Sequence, residues 1–255
     1  MSIRSKIQAL IAAANTATGG SDATLTDAVQ TLVDGFGQGG GYTAVDWLDL
    51  TKPTGDIVTD VNEIPPYALY KRTGAITVTA TIATYVGDSA FQLNTGITRF
   101  FGKQFRGCGA NAFSGATNLE YAVLGNCFVA YTSAFANCTK LKAADFGGSP
   151  TTSQGFLRQN IFGGSRVFKT LVLRGDTVWP LSSINVFSST PFASGGAGGT
   201  IYIKKALYDH LGDGTAFDYK AATNWSTIDG YGTITWAQIE GSIYETQYAD
   251  GTPIT

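Results

Sequence analysis

Charged residues are scarce in this sequence, and long apolar runs are absent from it. Only 14% of its 255 residues are charged, against about 25% in an average soluble protein. The net charge at pH 7 is −2, so the chain lacks the basic excess that contact with nucleic acid requires. No apolar run approaches the roughly 18 residues that a membrane-spanning helix needs. We therefore expect neither a nucleic-acid partner nor a membrane span.

The residue types that carry catalysis and metal binding are also few. His210 is the only histidine, so any Ser-His-Asp or Cys-His arrangement would have to use it. Cys108, Cys127 and Cys138 show no CxxC spacing and cannot all pair, which predicts small buried residues without a disulfide framework. No cluster of His, Cys, Asp and Glu has metal-ligand spacing, and there is no GxxxxGK[ST] loop. We expect no enzymatic activity, no cofactor and no metal.

What the chain does have is a period of 22 residues. Four pairs of alanine and a larger apolar residue recur at this interval: Ala68-Leu69, Ala90-Phe91, Ala112-Phe113 and Ala134-Phe135. Segments that begin at Ala75, Ile97, Leu119 and Leu141 run in phase with them. A fixed period in the twenties predicts a solenoid, whose units stack on one another to bury their apolar faces. Beyond Phe146 the spacing loosens around Gly- and Ser-rich inserts, which we interpret as loops.

The first 36 residues follow a different, helical pattern. Apolar residues between Ile3 and Ile11, and again between Leu25 and Val33, lie at the spacing of one helix face. A hairpin of two such helices is too small to be stable alone, so it needs its own copies or another protein. The predicted organisation is a helical attachment and oligomerisation segment at 1–36, a glycine linker at 37–41, a repeat solenoid with caps at 42–240 and a C-terminal tail at 241–255.

Two segments of the repeats resemble a known family. Ser133 to Leu141, with the sequence SAFANCTKL, and Val86 to Phe91, followed by Ile97, resemble the IGxxAFxxCxxL unit of BspA-like leucine-rich repeats. The resemblance covers roughly residues 60–230 and implies an α/β solenoid made of a leucine-rich-repeat array. The chain departs from the pattern where Asn94 and Ala116 replace the cysteine and where Gly102 replaces an apolar residue.

The N-terminal segment has a separate resemblance. Ile7 to Ile11 and Asp22 to Leu32, ending in a glycine run, are similar to the N-terminus of tail or fibre proteins from bacteriophages of gut bacteria. This resemblance implies a virion location after assembly in the host cytoplasm, with residues 1–36 contacting other virion proteins. By analogy with fibres it also implies a homo-oligomer, which we expect to be a trimer.

The outward positions of the predicted strands supply the candidate binding residues. One column reads Thr79, Phe101, Val123, Asp145, Val172 and Tyr202, and a neighbouring column contains Arg99 and Tyr121. Arg99, Phe101, Tyr121, Val123 and Asp145 are the candidate binding patch, since aromatic residues and arginine supply most interface energy. The alternative is that Phe101 and Val123 pack under a loop or against another subunit, and the sequence does not decide between the two.

Three functions follow from these expectations. The first is a non-enzymatic bacteriophage virion protein, in a tail, baseplate or head fibre, whose repeats bind a host surface protein or glycan. The second is a bacterial surface adhesin with the same repeats, which predicts a secretion signal or wall anchor. The third, less favoured, is a carbohydrate-active enzyme. It would need two carboxylates close together, whereas Asp145 and Glu120 fall in different columns.

Overall fold

The fold is that of a computed structural model, which describes residues 55–59, 61–74, 76–150 and 157–254. The predicted helical hairpin at 1–36, the glycine linker at 37–41 and the start of the predicted N-terminal cap lie outside the described residues.

Parallel β-strands dominate the described part of the chain. In order they are β1 (Gly55–Thr59), β2 (Glu63–Ile64), β3 (Ile76–Ala80), β4 (Tyr85–Val86), β5 (Ile97–Gly102), β6 (Gly107–Cys108), β7 (Tyr121–Leu124), β8 (Val129–Ala130), β9 (Ala143–Phe146), β10 (Thr170–Leu173), β11 (Gly199–Ile203) and β12 (Ile234–Gln238). Two short helices, α1 (Lys205–Tyr208) and α2 (Trp225–Asp229), and two 3₁₀ turns, Ile184–Phe187 and Ile243–Glu245, accompany them. The arrangement is α/β-like, with parallel sheets and few helices.

The strands form two sheets between which the chain alternates. The large sheet has eight strands in the order β1-β3-β5-β7-β9-β10-β11-β12, and the small sheet has four in the order β2-β4-β6-β8. Isolated parallel bridges from Ala130 to Leu157 and from Leu157 to Leu181 extend the line of the small sheet. Each unit therefore contributes one strand to the large sheet and, through the first four units, one to the small sheet.

The register of the large sheet confirms the columns predicted from the sequence. Thr79 pairs with Phe101, Phe101 with Val123, and Val123 with Asp145. The same column continues through Val172 to Tyr202. In β3, Ile76, Val78 and Ala80 are buried while Thr77 and Thr79 are half-buried, as expected when alternate side chains point to opposite faces. The predicted outward positions thus share one face of the sheet.

A stack of phenylalanine rings fills the interior. Phe91, Phe113, Phe135, Phe162 and Phe187 lie one above another, with successive ring centroids 4.9, 5.0, 5.8 and 5.7 Å apart. The planes of successive rings differ by at most 17°, and no ring is more than 1% exposed. Buried aromatic side chains contribute large apolar areas. The stack therefore ties five successive units into one core.

The alanine of each pair belongs to a backbone ladder at the turns. The N–H of Phe91 donates to the carbonyl of Ala112, and the N–H of Phe113 to the carbonyl of Ala134, both at 2.7 Å. The N–H of Phe135 continues the ladder to Ile161 at 2.8 Å. The alanines are fully buried, so the 22-residue pairs mark positions where neighbouring turns touch backbone to backbone.

The three cysteines are buried and unpaired, as predicted. Burial raises the pKa of the Cys127 thiol to about 12, and it also raises the pKa values of Cys108 and Cys138. The Cys138 thiol donates to the carbonyl of Phe113 at 3.1 Å. Asn94, in the equivalent position two units earlier, donates to the carbonyl of Leu69 at 2.8 Å. Cysteine and asparagine thus satisfy a buried carbonyl at the same point of the repeat.

The chain after β12 returns across the large sheet. We call residues 243–254 the strap. It begins with the 3₁₀ turn Ile243–Glu245 and folds back on itself through an antiparallel bridge between Gln247 and Pro253. The sequence predicts only a C-terminal tail in this region. In the structure the strap contacts side chains of β5, β9 and β11. At β11 the rings of Tyr202 and Tyr244 meet edge to face, with centroids 4.6 Å apart.

Candidate functional site

The strap lies on the predicted binding patch. The Phe101 ring meets the ring of Tyr248 edge to face, with centroids 5.4 Å apart. Arg99 Nε is 2.6 Å from Asp250 Oδ2, and a second guanidinium nitrogen of Arg99 donates to the Thr252 hydroxyl. Two members of the patch are therefore bound by a segment about 150 residues further along the chain.

A buried ion pair anchors the strap. Arg174, the residue after β10, forms a bidentate pair with Asp145, at 2.8 Å from Nε to Oδ1 and 2.7 Å from Nη2 to Oδ2. The Asp145 side chain is 0% exposed and also accepts the N–H of Ala249 at 3.0 Å. Arg174 in turn donates to the carbonyls of Tyr244 and Gln247, at 2.7 and 3.0 Å. The ion pair thus binds the strap through hydrogen bonds to the backbone of the strap.

Burial raises the pKa of the Asp145 carboxyl above its usual value. The Arg174 guanidinium and the N–H of Ala249 act in the opposite direction, because both favour the ionised carboxylate. The Tyr248 ring packs against the Arg174 guanidinium, with its centroid 5.1 Å from Arg174 Cζ. Such a network is costly to break from one side, since the remaining charge would stay buried without its partner.

Val123 and Tyr121 complete the predicted patch. Val123 is fully buried, although its register places it in the outward column. Tyr121 is half-buried, and Lys142 Nζ lies 5.6 Å from its ring centroid while pairing with Glu120 Oε2 at 2.6 Å. The structure therefore shows strap contacts for Arg99, Phe101 and Asp145. For Phe101 this is the packing under a loop that the sequence left open as an alternative. Binding of a partner by this patch stays a prediction, and it would require the strap to move.

An open groove lies elsewhere, on the turns that join the two sheets. It has a volume of about 520 Å³ and is formed by three successive turns. Its polar lining includes Ser133, Asn137, Asn160, Arg166, Ser188 and Ser189. None of these residues is in a strand, so they lie outside the columns from which the binding candidates were predicted. The sequence feature that could have indicated them is the frequency of Asn, Ser and Gly at the turns.

The backbone of these turns explains the residue types. Ser133, Asn137, Asn160 and Ser189 have φ between 55° and 58°, and Gly164 has φ of 78°. Asparagine and glycine tolerate this left-handed region better than most residues. Hydrogen bonds hold the turns in line, from the N–H of Asn137 to Gly163 O at 2.7 Å and from the N–H of Gly164 to Ser188 O at 2.8 Å. The groove therefore has a fixed backbone frame.

Gly164 leaves room for the side chain of Asn137 at the edge of the groove. A Cβ added at Gly164 would lie 2.3 Å from Asn137 Oδ1, so a larger residue there would displace this amide. Ser188 and Ser189 line the groove from the next turn.

His210 belongs to neither region. It is half-buried, and its Nδ1 lies 2.6 Å from Asp213 Oδ2, an interaction that lowers the pKa of Asp213. Within the described ranges, no three His, Cys, Asp or Glu side chains are grouped so that they could hold a metal ion. The helices of the same ranges are all too short or too polar to cross a membrane.

Models of known protein families give no match to this chain, and a search of curated protein sequences gives none either. Its function is therefore inferred from the geometry of the described residues and from the resemblances in the sequence.

Proposed function

We propose that the repeat region predicted from the sequence, residues 42–240, forms a leucine-rich-repeat solenoid of the BspA-like kind. Three features support the proposal: the continuous register of the large sheet, the backbone ladder at the turns and the phenylalanine stack. All three follow the 22-residue period, lengthened in the later units. Units of this kind are stable only when stacked, because each buries its apolar face on its neighbours.

The function that we propose is attachment of a bacteriophage virion to its host, without enzymatic activity. The repeat domain would contact a host surface protein or glycan, and residues 1–36 would attach it to other virion proteins as part of a homo-oligomer. The observation that carries the proposal is the division of the polar side chains. Asp145 and Glu120 are held in ion pairs, whereas polar side chains of the turns line an open groove. A rigid frame that displays unpaired polar groups is suited to binding.

The test is to locate the chain in purified virions and to measure its contribution to adsorption. We expect mass spectrometry to find it among the virion proteins. We also expect the purified full-length protein to compete with virions for the surface of host cells, and antibodies against it to reduce adsorption. The adhesin alternative would replace this proposal if the chain were found as an exported bacterial protein with a processed N-terminus and were missing from virions.

Two further measurements address the enzyme and oligomer predictions. Incubation of the protein with host cell-wall polysaccharides should release no fragments. Cleavage would instead support the hypothesis of a carbohydrate-active enzyme. Light scattering should show an oligomer of the full-length chain. A well-folded monomer would contradict the role proposed for residues 1–36.

A further inference from the structure

Most of the polar side chains that line the turn groove have no partner among the described residues; the exception is Thr139, whose hydroxyl donates to the carbonyl of Thr117. Arg166, Asn137 and Asn160 line the groove, and their side chains make no hydrogen bond or ion pair in the part of the chain that the structure describes. The same holds for the hydroxyls of Ser188 and Ser189. These groups supply one guanidinium, two amides and two hydroxyls on a surface whose backbone is fixed by the turn ladder.

The charge of the groove favours an anionic ligand. Among the described residues that line it, Arg166 is the one charged side chain, and none is a carboxylate. Arginine presents a planar fork of N–H donors that matches a carboxylate in bidentate geometry. Arg166 is therefore suited to a carboxylate on a ligand.

The size and remaining polarity of the groove favour a saccharide. A volume of about 520 Å³ falls in the range of small-molecule sites and exceeds what a simple ion needs. Amide and hydroxyl groups both donate and accept hydrogen bonds, as sugar hydroxyls do. The lining contains no large apolar or aromatic side chain that would anchor a peptide. We propose that this groove binds an acidic saccharide, with the sugar carboxylate on Arg166 and its hydroxyls on Asn137, Asn160 and the turn serines.

This inference rests on the proposed function, because it names the chemical class of the host surface glycan. It also moves the contact away from the patch under the strap to a surface that is already open. A single sugar unit would bind weakly, with a dissociation constant in the millimolar range. In a homo-oligomer the groove is repeated, and simultaneous contacts on one polysaccharide would raise the overall affinity.

The experiment compares four small probes on the full-length protein by ligand-observed NMR titration. The probes are glucuronate, the methyl ester of glucuronic acid, glucose and acetate. We expect glucuronate to bind at least tenfold more tightly than the other three, since only it combines the charge with the hydroxyls. Equal binding of the ester would refute the role of the carboxylate, and equal binding of acetate would refute recognition of the sugar.

Variants then assign the site. Arg166→Gln should weaken glucuronate binding about tenfold, and Asn137→Gly should weaken it several-fold while keeping a residue that tolerates positive φ. Arg106→Gln is the matched control, because Arg106 is also an exposed arginine but precedes β6 and does not line the groove. Loss of binding in the control, or none in Arg166→Gln, contradicts the assignment. Circular dichroism checks that each variant is folded.

The two proposals can fail separately. If the protein blocks virion adsorption while glucuronate does not bind at any soluble concentration, the saccharide inference is wrong and host attachment stands. If glucuronate binds in the groove while the chain is missing from virions, host attachment is wrong and the binding site stands.

Discussion

Arg174 holds Asp145 in a bidentate ion pair and, with the same guanidinium, holds the carbonyls of Tyr244 and Gln247. One side chain thus joins a column residue of β9 to the strap. The covered face of the large sheet depends on this connection, because Asp145 also binds the N–H of Ala249. The pair is a structural joint between the repeats and the C-terminal segment.

The first prediction concerns this joint. Asp145→Asn leaves the Arg174 charge buried beside a neutral amide, and breaking a buried pair from one side costs about 3 kcal/mol or more. We expect a loss of that size in the free energy of unfolding, measured by urea denaturation. Glu120→Gln is the control. It removes the partner of Lys142 in a solvent-exposed pair, where the loss should be much smaller. Similar losses in both variants would contradict the anchoring role of Asp145.

The second prediction concerns the patch under the strap. Arg99→Ala combined with Tyr121→Ala should leave adsorption to host cells unchanged, because the strap already occupies Arg99 through Asp250 and Thr252. The measurement is binding of the labelled full-length variant to cells, with circular dichroism as the check of folding. Reduced adsorption by a folded double variant would show that the patch itself contacts the host and that the strap moves.

The third prediction concerns the phenylalanine stack. Phe113 is fully buried between Phe91 and Phe135, so Phe113→Ala should lower the free energy of unfolding by about 4 kcal/mol. Phe217 is 48% exposed, and Phe217→Ala should cost much less. Chemical denaturation of both variants gives the comparison. A small loss at Phe113 would mean that the stack contributes little to the core.

The fourth prediction concerns the thiols. Because burial raises the pKa of Cys127 to about 12, the native thiol should resist iodoacetamide at pH 8 and react once the chain is unfolded. Alkylation followed by mass spectrometry measures this. Rapid labelling of the native protein would show that the site opens to solvent.

The same shift sets a pH dependence. In the unfolded chain the Cys127 thiol ionises near its ordinary pKa of about 8.5, whereas in the folded protein it stays protonated up to about pH 12. The unfolded state therefore loses the proton first, and stability falls as pH rises through this window. We expect Cys127→Ala to flatten this decline, which unfolding curves recorded as the pH rises above about 8.5 would show. An unchanged slope would exclude this contribution.

The sequence by itself determined the alignment of the strands. Parallel strands in units of equal length must pair in register, so the 22-residue period was enough to place Thr79, Phe101 and Val123 in one column. It was also enough to mark Ala112 and Phe113 as buried, because close contact between units demands a small residue beside a large apolar one. Because residues one period apart become neighbours in space, this part of the fold could be predicted from the sequence.

Only the tertiary structure decided which outward residues stay open. Arg99 meets Asp250 across a separation of 151 residues, and no periodic pattern links two such positions. The turn groove is lined by residues of three neighbouring turns, so it too exists only after the units stack. Contacts between equivalent positions of successive units can be predicted from the 22-residue period. Contacts between the strap and the sheet cannot, because they arise from packing of segments that are distant in the sequence.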